Sequence, residues 1–187
     1  MPIIPSRQQY SIASIFKNCK MEIYKYTIRH AVTNCTVYCR VDPVAVVWID
    51  LGITRRLHGA AAMDVESGKI LRIGDLLRRF LDGSQRDLGQ VAVDVSGITM
   101  FAREVLGAAR MIPWGTVVSY AELARMAGHA GAVRAAASVM RRNPCPLIIP
   151  CHRVVRSDGT IGGFKGKTKG GCVDKKRMLL GLEGVSI

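Results

Sequence analysis

Residues 119–142 read Ser119-Tyr120-Ala121-Glu122-Leu123-Ala124-Arg125-Met126-Ala127, then Gly128-His129-Ala130-Gly131, then Ala132-Val133-Arg134-Ala135-Ala136-Ala137-Ser138-Val139-Met140-Arg141-Arg142. Ser119 and Glu122 have the S-x-x-E spacing of a capping box, in which the two side chains take up amides that the first turn of a helix leaves free. The spacing predicts a helix from Ser119 to about Ala127. The glycine-bearing stretch 128–131 reads as a short turn. A second helix is expected over Ala132 to Arg142, with Val133, Ala136, Val139 and Met140 facing the core. Helix, four-residue turn, helix is the pattern of a helix-turn-helix.

The outer face of that second helix is unusual. Major-groove readers present Asn, Gln and Arg to base edges. Here Ala135 and Ser138 leave a flat surface beside Arg134, and most of the face is methyl groups. Such a face suits close approach to a groove without base-specific readout. Taken alone, the same residues would read as an alanine-rich core helix.

Working outward, Thr99 can cap a helix that runs to about Met111 and is ended by Pro113. Asp75 through Asp82 predicts another helix, with Leu76, Leu77, Phe80 and Leu81 as its apolar stripe and Gly83 as its stop. Gln90 to Gly97 reads as an extended connector, and the domain boundary is placed near Asp94. Met21 to Leu51 is strand-like. Three strands are expected, at Glu22–Ile28, Cys35–Val41 and Ala45–Leu51, with Asn34 and Asp42-Pro43 as turn signals between them. Residues 1–20 read as an extension. No internal repeat or low-complexity tract is present.

The 187 residues carry a net charge of +13, which points to a polyanionic partner, nucleic acid before an anionic membrane surface. The excess is concentrated from Val95 onward, where 14 Lys/Arg face 5 Asp/Glu. The hydrophobic content of 49% supports a real core and argues against disorder. No apolar run approaches the roughly 18 residues that cross a bilayer. Met1-Pro2-Ile3-Ile4-Pro5 is too short and too soon followed by Arg7 to be a signal peptide. An intracellular, cytoplasmic location is therefore expected, at the nucleoid or in a nucleus, with no membrane partner.

Six cysteines, Cys19, Cys35, Cys39, Cys145, Cys151 and Cys172, form no CxxC pair or regular ladder, so a disulfide framework is not indicated. Cys35 and Cys39 would share one face of a strand. Zinc bound there with Cys19 or His30 would lack the usual ligand spacing, so no metal is expected.

Ile148-Ile149-Pro150-Cys151-His152-Arg153-Val154-Val155 is the stretch that carries chemistry. A thiol is a good nucleophile only as thiolate, a form that neighbouring imidazole and guanidinium groups favour. Cys-His adjacency alone fits a buried structural cysteine equally well. The surroundings add Asn143-Pro144-Cys145-Pro146 upstream, Gly159, Gly162, Gly163, Phe164 and Gly166 downstream, and Ile112-Pro113-Trp114-Gly115 with Val118-Ser119-Tyr120 further upstream.

With these residues the chain resembles the O6-alkylguanine-DNA alkyltransferase family, also called methylated-DNA–protein-cysteine methyltransferases, strongly from about Leu76 to Glu183. The resemblance implies an α/β (α+β) protein. Its N-terminal domain, residues 1–94 with the extension, would hold a small antiparallel, ribonuclease H-like sheet. Residues 95–187 would form a helical, winged-helix-like domain whose helix-turn-helix lies in the minor groove. The implied function is DNA repair by irreversible transfer of the alkyl group from O6-alkylguanine, with O4-alkylthymine as a further substrate, onto Cys151. Each molecule would react once, as a monomer on double-stranded DNA, without cofactor.

Roles also follow from the resemblance. His152 would activate Cys151 through a bound water, Glu183 would orient His152, and Asn143 would brace the turn before the nucleophile. Arg134 would fill the stack left by a flipped nucleotide, and Tyr120 would crowd the backbone phosphate. Ala135 and Ser138 would lie on the DNA face, and Arg153 would be among the DNA contacts. The backbone at Cys151 and Val154 would accept from the guanine amino group. Phe164 would wall the pocket, where the family often has tyrosine, and the Lys165 N–H would stabilise the leaving guanine. The segment Lys165 to Cys172 is longer than usual and reads as a mobile basic flap.

Two other classes remain open. A DNA-binding module without chemistry would lack the nucleophile that Cys151 retains. A cysteine hydrolase would need a distant histidine, for which His30, His58 and His129 are available.

Overall fold

The structure is a computed structural model, and it describes residues 23–41, 44–51 and 68–187. The N-terminal extension, Asp42-Pro43, Cys19 and His58 lie outside the described residues. Strands β1 (Ile23–Ile28), β2 (Cys35–Val41) and β3 (Val44–Asp50) form an antiparallel sheet in sequence order. In β2, Cys35, Val37 and Cys39 are buried, as a period-two strand requires. In β3, Ala45, Val46, Val47 and Ile49 are all buried, so both faces of that strand are covered.

The first helix, α1 (Gly68–Leu81), packs against β1. The expected stripe is present in Leu77, Phe80 and Leu81, with Ile73 added and Leu76 half-buried. The helix begins seven residues before the expected Asp75. Gly68 and Gly74 hide this, because glycine reads as a helix breaker. Gly74 has a packing reason: a Cβ there would sit 2.4 Å from Cε1 of Tyr26. Gly83 takes φ +76° and donates to Phe80 O, closing the helix.

The connector at Gln90–Gly97 is not loose. Val46 N donates to Ala92 O and Asp94 N to Val46 O, so the chain near Asp94 pairs with β3. Arg40 and Asp94 form an ion pair over the same join.

Helix α2 (Met100–Arg110) is capped by Thr99, whose Oγ1 accepts from Ala102 N. Helix α3 (Tyr120–Met126) opens on the capping box: Glu122 N donates to Ser119 Oγ at 3.1 Å and Ser119 N to Glu122 Oε2 at 2.6 Å. Such a cap contributes about 1 kcal/mol. In the turn, His129 N donates to Ala124 O and Ala132 N to His129 O, and helix α4 (Val133–Arg141) follows. Ala136 and Met140 face inward, while Val133 and Val139 are half-buried.

Two short strands then matter more than their length suggests. β4 (Val118–Ser119) and β5 (Val154–Val155) pair in parallel, Val118 with Val154 and Ser119 with Val155. This pairing brings the start of α3 to the turn that holds Cys151. The last helix, α5 (Gly171–Leu182), packs against that turn.

Candidate active site

Cys151 begins a single turn of 3₁₀ helix, Cys151–Arg153. Pro150 before it has φ −79°, within the range its ring imposes. The turn is braced from below. Asn143, fully buried, donates from Nδ2 to Ile149 O at 2.8 Å and accepts from Cys145 N at Oδ1 at 3.0 Å. One amide side chain thus fixes both ends of the loop between α4 and the nucleophile.

Three residues per turn send the side chains of Cys151, His152 and Arg153 about 120° apart. Cys151 lies on a cavity of about 200 Å³, lined also by Tyr120, Met140, Arg141, Phe164 and Lys165. Pockets for drug-sized ligands run to about 300–1,000 Å³, so this one suits a single planar base. Cys151 itself is only 4% exposed. Burial, reinforced by the nearby Cys151, raises the pKa of the Tyr120 phenol.

His152 points the other way and is fully buried. Its Nε2 lies 2.8 Å from Glu183 Oε1. Burial lowers the histidine pKa, and Arg153 and Lys176 lower it further against the pull of Glu183. The ring is therefore neutral at pH 7. A carboxylate only accepts, so Nε2 carries the proton and Nδ1 holds a lone pair. Nδ1 has no protein partner among the described residues.

Glu183 is the hub of the region behind the nucleophile. Its Oε2 accepts from Gly115 N at 3.0 Å and from Arg153 Nε at 2.9 Å, and Arg153 Nη2 donates to Oε1 at 2.9 Å. Burial alone would raise its pKa. The hydrogen bonds from His152, Arg153 and the Gly115 amide outweigh that and hold it at about 2. Gly115 sits at φ +73°, and a Cβ there would come within 3.2 Å of Glu183 O.

Arg153, expected among the DNA contacts, is turned into the protein. Nε and Nη2 serve Glu183, Nη1 donates to Ile112 O at 2.6 Å, and the guanidinium lies 5.9 Å from the Trp114 ring centroid. Only 6% of the residue is exposed. Val154 is a different case. It is fully buried, and its carbonyl, expected to face guanine, accepts from Lys176 Nζ at 2.5 Å. A carbonyl has a second lone pair, so that contact does not close it to a base.

Lys176 was missed by the sequence reading. It is fully buried on α5, and Nζ also donates to Ile161 O at 2.6 Å. Burial brings its ammonium down to about 8, against the pull of Cys151. Its position on the stripe Val173, Lys176, Leu179, Leu180 was the available signal.

The segment expected to form a mobile basic flap begins with a hydrogen-bonded turn. Phe164 N donates to Lys167 O and Lys167 N to Phe164 O, which makes a tight four-residue turn. Phe164 is buried and walls the cavity, and Lys165 lies beside it.

On the outer surface, Arg134 and Ala135 are exposed, and Ser138 is half-buried with its hydroxyl accepting from Arg142. Of the histidines of the hydrolase reading, the two described ones are engaged elsewhere. His129 pairs with Glu104 and His30 with Asp82. His30 Nδ1 accepts from Val32 N, so no lone pair is left for zinc. Among the described residues, no three His, Cys, Asp or Glu side chains are grouped to hold a metal.

The site is a cysteine on a base-sized cavity beside two helices joined by a short turn. A family model described as 6-O-methylguanine DNA methyltransferase, DNA binding domain, matches residues 100–185. The methylated-DNA–protein-cysteine methyltransferase of Methanothermobacter thermautotrophicus is 41% identical over 149 residues, 77% of this chain and 81% of that protein. The protein of the same name from Rattus norvegicus is 45% identical over 86 residues, which span 46% of this chain and 39% of the rat chain. The Mycobacterium tuberculosis OGT, solved in complex with DNA, superposes with a TM-score of 0.69 at 29% identity, covering 86% of this chain and 92% of that one. The chain belongs to the methylated-DNA–protein-cysteine methyltransferase family.

Proposed function

We propose that this protein repairs DNA by moving the alkyl group of O6-alkylguanine onto Cys151, once per molecule. The observation that carries the reading is the placement of Cys151 on the base-sized cavity, with neutral His152 and anionic Glu183 directly behind it. His152 Nδ1 takes the thiol proton through a bridging water while Glu183 holds the ring. The thiolate then attacks the alkyl carbon. The S–C bond forms as the C–O6 bond breaks, and the electron pair leaves with guanine. Tyr120 and the Lys165 N–H stabilise that charge, and guanine is then protonated. The thioether is stable, so turnover stops there, and no step calls for a metal or organic cofactor.

The target atom lies within the base stack, so the nucleotide must be extruded into the cavity, at a cost of roughly a few kcal/mol. The flat face of α4 approaches the minor groove, Ala135 and Ser138 allow close contact, and Arg134 enters the vacated stack. In this reading residues 95–187 form a winged-helix-like transfer domain, residues 1–94 carry a ribonuclease H-like sheet, and the protein acts on duplex DNA as a cytoplasmic monomer.

Incubation with a duplex containing O6-methylguanine should add one methyl group to the intact protein, on Cys151. Repeated turnover, or modification of Cys145 instead, would reject the reading. For Arg134, the expected result is a split between substrates. Arg134→Ala should slow transfer from duplex about ten- to a hundredfold at saturating protein, the rate equivalent of roughly 1.4–2.8 kcal/mol. Transfer from free O6-benzylguanine should be little changed, since a free base needs no extrusion. Equal slowing on both substrates would remove Arg134 from that role.

A further inference from the structure

The turn Phe164-Lys165-Gly166-Lys167 has left-handed backbone at both central residues, φ +50° at Lys165 and φ +79° at Gly166. Its two closing hydrogen bonds, at 2.8 and 2.9 Å, make it a mirror-image hairpin turn. Asn, Asp and Gly suit the first central position; lysine fits it badly, because its Cβ crowds the backbone. Strained backbone of this kind persists where its surroundings over-determine it.

The Lys165 side chain supplies that determination. Its Nζ donates to Asn143 O at 2.7 Å, just past the end of α4, where carbonyls at a helix C-terminus favour a cation. The same Nζ lies 5.2 Å from the Trp48 ring centroid on β3. Burial lowers the ammonium's pKa, while Cys151, Cys145 and Asp50 pull it back up. The tip of the turn is packed as well: a Cβ on Gly166 would come within 3.0 Å of Arg141 Cδ. One side chain therefore touches the N-terminal sheet, the end of the DNA-facing helix and the cavity wall.

We propose that Lys165 is a positioning residue: its side chain latches the 164–167 turn to Trp48 and Asn143, and this latch sets the rate of alkyl transfer by fixing the cavity wall opposite Cys151. The proposal rests on the alkyl-transfer reading. It gives the N-terminal sheet a part in the chemistry through Trp48, although no residue described in that sheet lines the cavity.

Glycine separates the latch from the turn. Lys165→Gly relieves the backbone strain and removes the side chain. The expected result is a saturated single-turnover rate with O6-benzylguanine at least about tenfold slower than the parent, since small misplacements of a positioned group cost rate steeply. Lys165→Arg, which keeps the cation and its donors, should recover most of the rate. Trp48→Leu should slow transfer comparably, and the double variant Trp48→Leu/Lys165→Gly should be no slower than the worse single one. In parallel, amide hydrogen exchange at Phe164 and Lys167 should speed up in both single variants. Parent-like transfer in Lys165→Gly, or exchange unchanged from the parent, would overturn the latch. A parent protein that transfers nothing would sink the alkyl-transfer reading instead, and the exchange measurement would still decide the latch.

Discussion

Cys151→Ala is expected to abolish alkyl transfer altogether while leaving affinity for duplex DNA within about twofold of the parent, because phosphate contacts supply most of such affinity. Among the described residues, no other thiol is placed to substitute. Among the described residues, Cys35, Cys39 and Cys145 are buried, and burial pushes the first two thiols up to about 12 and the third up as well. None of them lines the cavity, nor does half-exposed Cys172. Intact mass after exposure to O6-methylguanine duplex, with a gel-shift titration alongside, checks both halves. A methyl group on the variant would mean that another residue is the acceptor. Lost DNA binding would mean that Cys151 holds the fold of the interface.

What could be read from the sequence was what local chemistry decides. Thr99 and the Ser119–Glu122 pair announce their helices because a cap is made between residues three apart. The strands at 23–50 were legible from β-branched and aromatic runs. The start of α1 was hidden because Gly74 is present for the Tyr26 ring, a contact with another element. The same holds at the site. Cys151 stands out by its neighbours in sequence, but adjacency does not say which way Arg153 points. The 3₁₀ turn decides that, sending Cys151 to the cavity and His152 and Arg153 back to Glu183. Lys165 looked like part of a loose basic flap because its two anchors, Trp48 and Asn143, come from other parts of the chain.

The second large effect is expected from Glu183→Gln. The variant keeps the shape of the side chain and removes the charge that three donors share. Arg153 is left as a buried cation without a counter-ion, which costs about 3–5 kcal/mol. His152 loses the partner that fixes its proton on Nε2, so the transfer rate should fall about a hundredfold or more, the usual size of a general-base contribution. Adding Arg153→Met separates the two losses. The double variant Arg153→Met/Glu183→Gln should regain much of the stability, since no charge is stranded, and should stay slow. Recovery of both together would mean that Glu183 serves only to hold Arg153. Acid gives an independent reading. Glu183 is held at about 2 in the folded protein, against about 4.3 in an unfolded chain. Between those values the unfolded chain binds the proton more readily. The stabilisation, about 3 kcal/mol by linkage, is thus complete above about pH 4.3 and lost as pH falls through 2. His152 acts in the same direction at higher pH, because its lowered pKa lets the unfolded chain protonate first below about 6.5. Denaturant midpoints should therefore fall steadily from about pH 6.5 downward in the parent. In Glu183→Gln the part of that slope below about pH 4.3 should flatten; an unchanged slope there would show that the Glu183 carboxylate is not held by its three donors.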